Sequence, residues 1–142
     1  MALSREEREQ FLVEPHIASL AVDPGEQDRA PLVVPVWYQY APGGDIWILT
    51  GAGSRKDRLI VAAGRFSLLV ERTAPTVRYV SVEGPVTERI PGTRDHIVEL
   101  ASRYLPAGKV DEYVAMSTGE HGDQVVFRMR PQRWLSSDLG AL

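Results

Sequence analysis

The strongest strand signal in this chain is the run from Leu32 to Tyr40, which limits the possible folds more than any other segment. Its residues are mostly β-branched or aromatic, the types enriched in β-strands. Pro35 lies inside the run, and a proline cannot donate a hydrogen bond to a neighbouring strand. The pattern predicts a strand that has a bulge or leaves a neighbour at Pro35, and such breaks often present backbone groups to a ligand.

Further apolar runs, separated by turn residues, predict that this strand belongs to a sheet. Pro42, Gly43 and Gly44 mark a hairpin between Tyr40 and the next strand. The Gly84–Pro85 pair predicts a bend or bulge in the longest strand. The other predicted strands are His16–Val22, Asp45–Thr50, Arg65–Glu71, Val77–Arg89, Gln124–Met129 and a closing segment Pro131–Trp134, and the tail from Ser136 carries little pattern.

Capping residues predict the helices that interrupt these strands. Ser4 with Glu7, and Ser54 with Asp57, have the spacing of a capping box. Six or seven strands with hairpin spacing indicate a mainly β (α+β) fold, an antiparallel β-barrel with peripheral helices in a single domain over residues 1–142. The predicted helices run from Ser4 to about Glu14, from Ser54 to about Ala63, from Thr93 through Tyr104 and over Val110–Met116, and Gly119–Gly122 is predicted to be a loop.

Composition excludes several classes of function. A net charge of −3 and the lack of a basic block with interleaved aromatics argue against nucleic-acid and membrane partners. The absence of cysteine excludes disulfides, thiolate metal sites and cysteine nucleophiles, and it suits the cytoplasm. The charged segment Ala2–Gln10 is unlike a signal peptide, and no apolar run is long enough to span a bilayer. We expect a cytoplasmic protein.

The segment Gly51–Leu59 is the best candidate for a binding site. It follows a predicted strand, turns on glycines and opens a helix whose N-cap is Ser54. A helix N-terminus has unpaired N–H groups and partial positive charge, so it suits an anion. Arg55 and Lys56 lie in the first turn, where the dipole disfavours cations, and a bound phosphate would turn that repulsion into attraction. The alternative is an ordinary capped helix with a solvated basic face.

The sequence lacks the patterns by which side chains alone perform catalysis. His16, His96 and His121 have no second histidine or carboxylate at metal spacing, which argues against a metal site. His96 is predicted on a helix surface and His121 in a solvated loop. The serines have no nucleophile elbow or triad partner, and there is no Walker loop or dinucleotide-binding glycine motif. In an enzyme of this sequence, the reactive atoms are expected on a cofactor.

Four segments together resemble the pyridoxamine 5′-phosphate oxidase-like split β-barrel superfamily, which includes flavin- and F420-dependent oxidoreductases. The resemblance covers about Ser4 to Trp134, and the Thr-x-x-Gly-Ser-Arg-Lys segment is its most specific part. It implies a Greek-key split barrel and a homodimer with its cofactors in clefts between the subunits. The four segments are Val33–Tyr40, Ile46–Thr50, Gly53-Ser54-Arg55-Lys56 and Arg78–Gly84.

The resemblance also implies which residues hold the cofactor. Ser54, Arg55 and Lys56 would bind its phosphate, with Arg55 as a bidentate fork and Lys56 as a point charge. Thr50 would contact the flavin region, and Arg78, with the region of Ser81, would come from the strand that completes the site. The backbone that runs along the ring would be that of Val34, Pro35, Val36 and Trp37.

Several aromatic residues have two interpretations. Trp37, Tyr38 and Trp47 offer flat apolar surface to a ring, or they pack in the barrel core or at a dimer interface. Trp134 caps the ring from the other subunit, or it is a core or interface tryptophan. A proton donor could be Tyr38 or Tyr79, and the alternative for each is a structural hydroxyl.

The C-terminal segment departs from one branch of this superfamily. True pyridoxamine phosphate oxidases carry a C-terminal Arg-x-His pair, whereas Arg133-Trp134-Leu135 lacks the histidine, so vitamin B6 oxidation is not expected. We expect an FMN-dependent oxidoreductase that transfers a hydride between FMN and a small organic substrate without a covalent nucleophile. The alternatives are F420 as the cofactor, a non-catalytic flavin- or deazaflavin-binding protein, and a structural or ligand-sensing barrel.

Overall fold

The computed structural model describes residues 1–120 and 122–142, and of Gly119 and Glu120 it describes the backbone only. These residues contain eight strands and four helices. In chain order they are α1 (Arg5–Val13), β1 (Ala18–Val22), β2 (Leu32–Val36), β3 (Gln39–Tyr40), β4 (Ile46–Gly51), α2 (Arg55–Ala63), β5 (Arg65–Arg72), β6 (Val77–Pro91), α3 (Arg94–Tyr104), α4 (Ala107–Glu120), β7 (Gln124–Met129) and β8 (Arg133–Gly140).

The strands form one curled antiparallel sheet in the order β2-β1-β5-β6-β7-β4-β3, with β8 beside β6. The 15 residues of β6 organise this sheet. Its first half pairs with β5 on one side and β8 on the other, and its second half pairs with β7. Because one strand serves both halves, the sheet closes into a half-barrel. The mainly β, α+β split barrel predicted from the sequence is confirmed.

Alternating apolar residues fill the inside of the barrel. The buried positions of β5 are Phe66, Leu68 and Val70, every second residue, as expected for a strand with one face on the core. Helix α1 covers one end with Phe11 and Leu12. Helices α3 and α4 cover the other face of β4 and β7, so the core has two layers.

The break predicted at Pro35 is displaced by two residues. Pro35 lies within β2 opposite Ser19, and β2 is the last strand of the sheet, so its missing N–H costs no ladder bond on the open side. The chain instead leaves the sheet at Trp37–Tyr38 and resumes as β3, which pairs with β4. The single strand predicted over Leu32–Tyr40 is therefore two strands.

Three further predictions need correction. The tail from Ser136 is not patternless, since it forms most of β8 on β6. The register shift of β6 lies between Val86 and Glu88, beyond Gly84–Pro85, and Gly84 itself is the place where a Cβ would overlap the carbonyl oxygen of Arg130. The predicted loop at Gly119–Gly122 begins too early, because α4 continues to Glu120, and His121 lies outside the described residues.

Candidate functional site

The first turn of α2 is held by a compact set of hydrogen bonds. Ser54 caps the helix, and its hydroxyl accepts from the Asp57 N–H at 3.2 Å. The Asp57 carboxylate accepts from the N–H of Gly53 at 2.8 Å, so the return bond of the predicted capping box reaches one residue before the cap. The Thr50 hydroxyl, buried at the end of β4, lies 3.3 Å from that of Ser54. The turn is therefore fixed to the strand that precedes it.

An ion pair attaches the same turn to β6. The Arg89 guanidinium donates two hydrogen bonds to Asp57, at 2.9 and 2.7 Å. These bonds hold the pKa of the buried Asp57 carboxyl below its usual range, against the opposing effect of burial. Asp57 therefore accepts hydrogen bonds from Arg89 and Gly53, and its ion pair within 4.0 Å is with Arg89 rather than with Lys56.

A cavity of about 330 Å³ lies beside this turn. The end of β2 and the following Trp37 form one side, and α3 and α4 form another. Lys56 is the single charged side chain among the described lining residues. No described carboxylate lies within 4.0 Å of its ammonium group. The lining residues are Ile17, Pro35, Val36, Trp37, Leu49, Lys56, Ile97, Leu100, Tyr113, Ser117 and Gln124.

Stacked aromatic rings make the Trp37 side of the cavity rigid. The Trp37 ring stacks on Tyr104 of α3 with centroids 4.8 Å apart and an angle of 13° between the planes. Tyr113 of α4 lies against the other part of the ring, with centroids 5.1 Å apart. The Tyr104 hydroxyl donates to the carbonyl of His16 at 2.8 Å and accepts from the Tyr38 N–H. The break after β2 is thus held by side chains from α3.

Pro35, Val36, Trp37 and Lys56 are the predicted cofactor residues that this cavity brings together. Thr50 and Ser54 lie next to it in the turn described above, without lining it. Arg55 is exposed on the outside of the first turn. Val34 packs against the barrel core, on the face of β2 opposite to Pro35.

Arg78 lies elsewhere. Its guanidinium donates to Asp138 of β8 at 2.9 Å, and Glu7 of α1 lies 3.9 Å away. Asp138 also accepts from the hydroxyl of Thr76 and the N–H of Gly140, at 2.6 and 2.9 Å. These bonds, the first of them above all, and Arg78 lower the pKa of Asp138 to about 2. Arg78 therefore fastens β8 and α1 to β6 and is not part of this cavity.

Most of the lining residues that sequence reasoning missed come from α3, α4 and β7. Tyr113 and Ser117 occupy one face of α4, and Gln124 begins β7. The spacing of Val110, Tyr113 and Val114 indicated an amphipathic helix, but nothing in the sequence shows which strand that helix would cover. Ile17 precedes β1 and is 55% exposed, so the cavity opens toward the outer face of the sheet.

Tyr38, His96 and Trp134, which were also considered from the sequence, have structural contacts. The buried Tyr38 hydroxyl donates to the carbonyl of Leu12 at 2.6 Å, and burial raises the pKa of its phenol, so it is not an accessible proton donor. His96 is half-buried, in contrast to the prediction: its Nδ1 accepts from the Thr93 N–H, and its ring meets that of the buried Trp47. Trp134 lies under the Arg8 guanidinium of its own chain.

Across residues 1–120 and 122–142, no three His, Asp or Glu side chains are grouped so that they could hold a metal ion. In the same residues, no helix has the length and apolar character needed to cross a bilayer.

Comparison with known proteins identifies the fold. No family model and no curated protein sequence matches the chain. Among solved structures, an F420 reductase is 24% identical, with a TM-score of 0.69 over 89% of this chain and 94% of that one. A FAD-binding protein from Mesorhizobium loti is 21% identical, with a TM-score of 0.67 over 97% and 96%. A FAD and heme binding protein from Mycobacterium smegmatis is 18% identical, with a TM-score of 0.64 over 96% and 71%.

These similarities confirm the expected resemblance at the level of the fold. The chain has a split β-barrel, and it shares this fold with the F420 reductase and the two FAD-binding proteins just named. A shared fold places no chemistry on this chain by itself, because one fold supports many functions. The function has to be argued from the cavity.

Proposed function

We propose that this chain binds a phosphorylated flavin-type cofactor in the cavity beside α2 and transfers hydride between that cofactor and a small organic substrate. FMN is the first candidate. The observation that carries the proposal is the placement of Lys56, a cation without a described carboxylate partner, beside an apolar cavity lined by Pro35, Val36 and Trp37. The proposal treats residues 1–142 as one cofactor-binding domain and places it in the cytoplasm, which the cysteine-free composition suits.

The donor set of the cavity fits such a cofactor. A phosphate needs a cation and N–H donors, and the first turn of α2 supplies Lys56 together with unpaired backbone N–H groups. A fused ring needs flat apolar surface, which Trp37 and the end of β2 offer. A volume of about 330 Å³ is at the lower end for ligand cavities, so it suits a single ring system rather than a whole dinucleotide.

When bound, a flavin or deazaflavin supplies the hydride chemistry itself. The residues of this chain would bind the cofactor, orient it and shield it from water. Ser54 and the Asp57–Arg89 pair hold the first turn of α2 so that Lys56 keeps its place beside the cavity. Leu49, Ile97 and Leu100 exclude water from the apolar side. Orientation and a pre-arranged charge would supply most of the rate increase, because no lining residue that the structure describes is a nucleophile activated by a base.

F420 is the second cofactor candidate, and the F420 reductase among the structural relatives favours it. FMN and F420 both carry a phosphate, so Lys56 does not distinguish them. A second function, flavin binding without turnover, is favoured because the lining residues that the structure describes include no aspartate, glutamate or histidine. Turnover measurements separate it from the first.

We also propose that the chain forms a homodimer through the outer face of β2, β1, β5, β6 and β8. Val33 and Leu135 on this face are 61% and 65% exposed. Ile17 and Pro35 lie at the same face and also line the cavity, so a second copy here would complete the side of the cavity that is open. Burying exposed apolar side chains is the usual driving force for such an interface.

Titration of the purified chain with FMN and, separately, with F420 tests the proposal. We expect saturable quenching of cofactor fluorescence by one of the two. Replacing Lys56 by alanine should weaken that binding about tenfold or more, because a charge-assisted hydrogen bond to the phosphate is lost. Lys109→Ala is the matched control, since Lys109 is exposed on α4 and does not line the cavity.

Turnover is measured with the loaded protein. Anaerobic reduction of the bound cofactor, followed by its reoxidation by small quinone or enone acceptors, supports an oxidoreductase. Binding without reoxidation by any acceptor supports the non-catalytic candidate. Failure of both cofactors to bind, or equal binding by Lys56→Ala, would overturn the assignment of this cavity.

A further inference from the structure

A second cavity of about 280 Å³ lies at the opposite end of the barrel. The register of β4 and β7 separates the two ends: Gly51 pairs with Gln124 near the first cavity, and Ile46 pairs with Met129 near the second. The second cavity is lined from α1, the hairpin after β3 and the connection between β7 and β8. Its lining residues are Arg5, Arg8, Glu9, Tyr40, Gly43, Gly44, Asp45, Arg130, Pro131 and Trp134.

The charges around this cavity leave an excess of one cation. The lining carries three arginines and two carboxylates. Arg5 lies 3.5 Å from Glu9, and Asp45 accepts a hydrogen bond from Thr87 at 3.0 Å. Arg8 and Arg130 have no carboxylate within 4.0 Å among the residues that the structure describes. A ligand with a single negative charge would balance this end of the barrel.

Arg8 is the residue for which the described protein provides least compensation. Its Nε atom is buried, and no described group accepts a hydrogen bond from it. Its guanidinium carbon lies 4.5 Å from the centroid of the Trp134 ring, so the indole face is its main favourable contact. A buried N–H group without an acceptor is costly, and an anion in this cavity would supply the acceptor that Arg8 Nε lacks.

Aromatic side chains give the cavity its shape. Tyr40 is buried and meets Trp134 edge to face, with centroids 6.5 Å apart. Burial raises the pKa of the Tyr40 phenol, opposed by a hydrogen bond from the Gly43 N–H and by the charges of Arg8 and Arg5. The phenol therefore stays protonated at neutral pH and keeps a proton that it can donate to an anion. Two aromatic rings and two unpaired guanidinium groups suit a planar ligand with one carboxylate.

We propose that this second cavity binds a small aromatic carboxylate, with Arg8 and Arg130 pairing its charge and Tyr40 and Trp134 contacting its ring. The proposal does not rest on the cofactor site, because the two cavities share no lining residue. Each can therefore fail while the other holds. The ligand would act as a regulator or cargo bound away from the first cavity.

The test uses benzoate as the probe and the uncharged benzamide as its matched control. Calorimetry of the full chain should show saturable benzoate binding in the millimolar range or tighter, with benzamide weaker by about tenfold. In an ¹⁵N–¹H spectrum, the Nε–H resonance of Arg8 should shift with the same binding curve. Arg130→Gln, at an exposed position, should weaken benzoate binding about fivefold or more, and Arg8→Gln should weaken it further.

Arg29→Gln is the control variant, because Arg29 is exposed and pairs with Glu26 in the loop after β1. It should leave benzoate binding unchanged. If Arg8→Gln fails to fold, the wild-type comparison with benzamide and the Arg130→Gln variant still decide. No saturable benzoate binding, equal binding of benzamide, or equal loss in Arg29→Gln would each overturn the proposal.

Discussion

Lys56 and Arg78 are both cations that the sequence assigns to the cofactor site, yet they lie in opposite electrostatic surroundings. Lys56 is beside a cavity with no described carboxylate near it, while Arg78 is bound by Asp138 and Glu7. The difference arises from β8, which brings Asp138 to Arg78, whereas the acidic neighbour of Lys56, Asp57, is turned away to Arg89. A cation can bind a ligand only where the fold leaves its charge uncompensated.

The largest effect is expected from a substitution at Gly84, where β6 lies close to the backbone of the connection between β7 and β8. A Cβ at Gly84 would overlap the carbonyl oxygen of Arg130, a backbone atom that has little room to move. Gly84→Ala should lower the free energy of unfolding by about 3 kcal/mol, as in severe overpacking. Chemical denaturation measures this. Gly108→Ala is the control, because no atom lies within 4 Å of its added Cβ and alanine favours a helix, so its stability should not fall.

The second prediction compares two variants, each of which removes one of these two cations. Lys56→Ala should weaken cofactor binding about tenfold or more and leave stability nearly unchanged. Arg78→Gln should do the reverse: it should lower the free energy of unfolding by about 1–2 kcal/mol, since Asp138 loses a charged partner, and leave cofactor affinity within about twofold. Fluorescence titration and urea unfolding of both variants check this. Equal loss of affinity in the two variants would remove the distinction between these sites.

The third prediction concerns Asp57, which holds the turn that carries Lys56. Asp57→Asn weakens the pair with Arg89 and the bond from Gly53, so the free energy of unfolding should fall by about 1–2 kcal/mol, a value kept modest because Arg89 is partly exposed. Cofactor affinity should fall severalfold, because the first turn of α2 would no longer hold Lys56 in place beside the cavity. Asp95→Asn, an exposed first-turn carboxylate of α3, is the matched control and should change neither quantity.

The smallest expected effect is a dependence of stability on acid. The pKa of Asp138 is about 2 in the folded chain against an ordinary value of 3.8, so between these values the unfolded chain binds more protons. Its stabilising contribution is complete above about pH 4 and is lost as the pH falls through about 2. Asp138→Asn should flatten this part of the profile relative to the wild type. If the wild type and Asp138→Asn gave identical profiles down to pH 2, the pKa of Asp138 would not differ between the folded and the unfolded chain.

Sequence reasoning succeeded where local chemistry decides the structure. The Ser54 cap, the hairpin after Tyr40 and the strand predicted over Arg65–Glu71 depend on residues close in the chain, and the structure contains all three, with β5 one residue longer than predicted. Resemblance supplied the split barrel. The resemblance assigns Pro35 and Lys56 to one cofactor, and both line the first cavity, although their role as cofactor ligands stays a prediction.

The failures have one physical cause, which is that long-range pairing reverses a local pattern. In β8 the apolar Leu135 and Leu139 are exposed, while Ser136 and Asp138 face the same side as Arg78. A core strand is recognised by apolar residues on its inward side. In β8 the inward side is mostly polar, so the segment from Ser136 carries no strand signal in the sequence. The resemblance assigns Arg78 to the cofactor site, and the carboxylate that binds Arg78 comes from the part of β8 that the sequence did not predict. The contribution of Tyr113 and Ser117 was equally invisible, since it depends on where α4 packs.

The most direct test of the central claim is a crystal structure of the chain grown with FMN or F420. We predict that the ammonium group of Lys56 lies within hydrogen-bonding distance, about 3 Å, of the cofactor phosphate. The ring should lie along Pro35, Val36 and Trp37, with Arg78 still bound to Asp138. A cofactor located elsewhere, or Lys56 turned into solvent beside a bound cofactor, would contradict the claim.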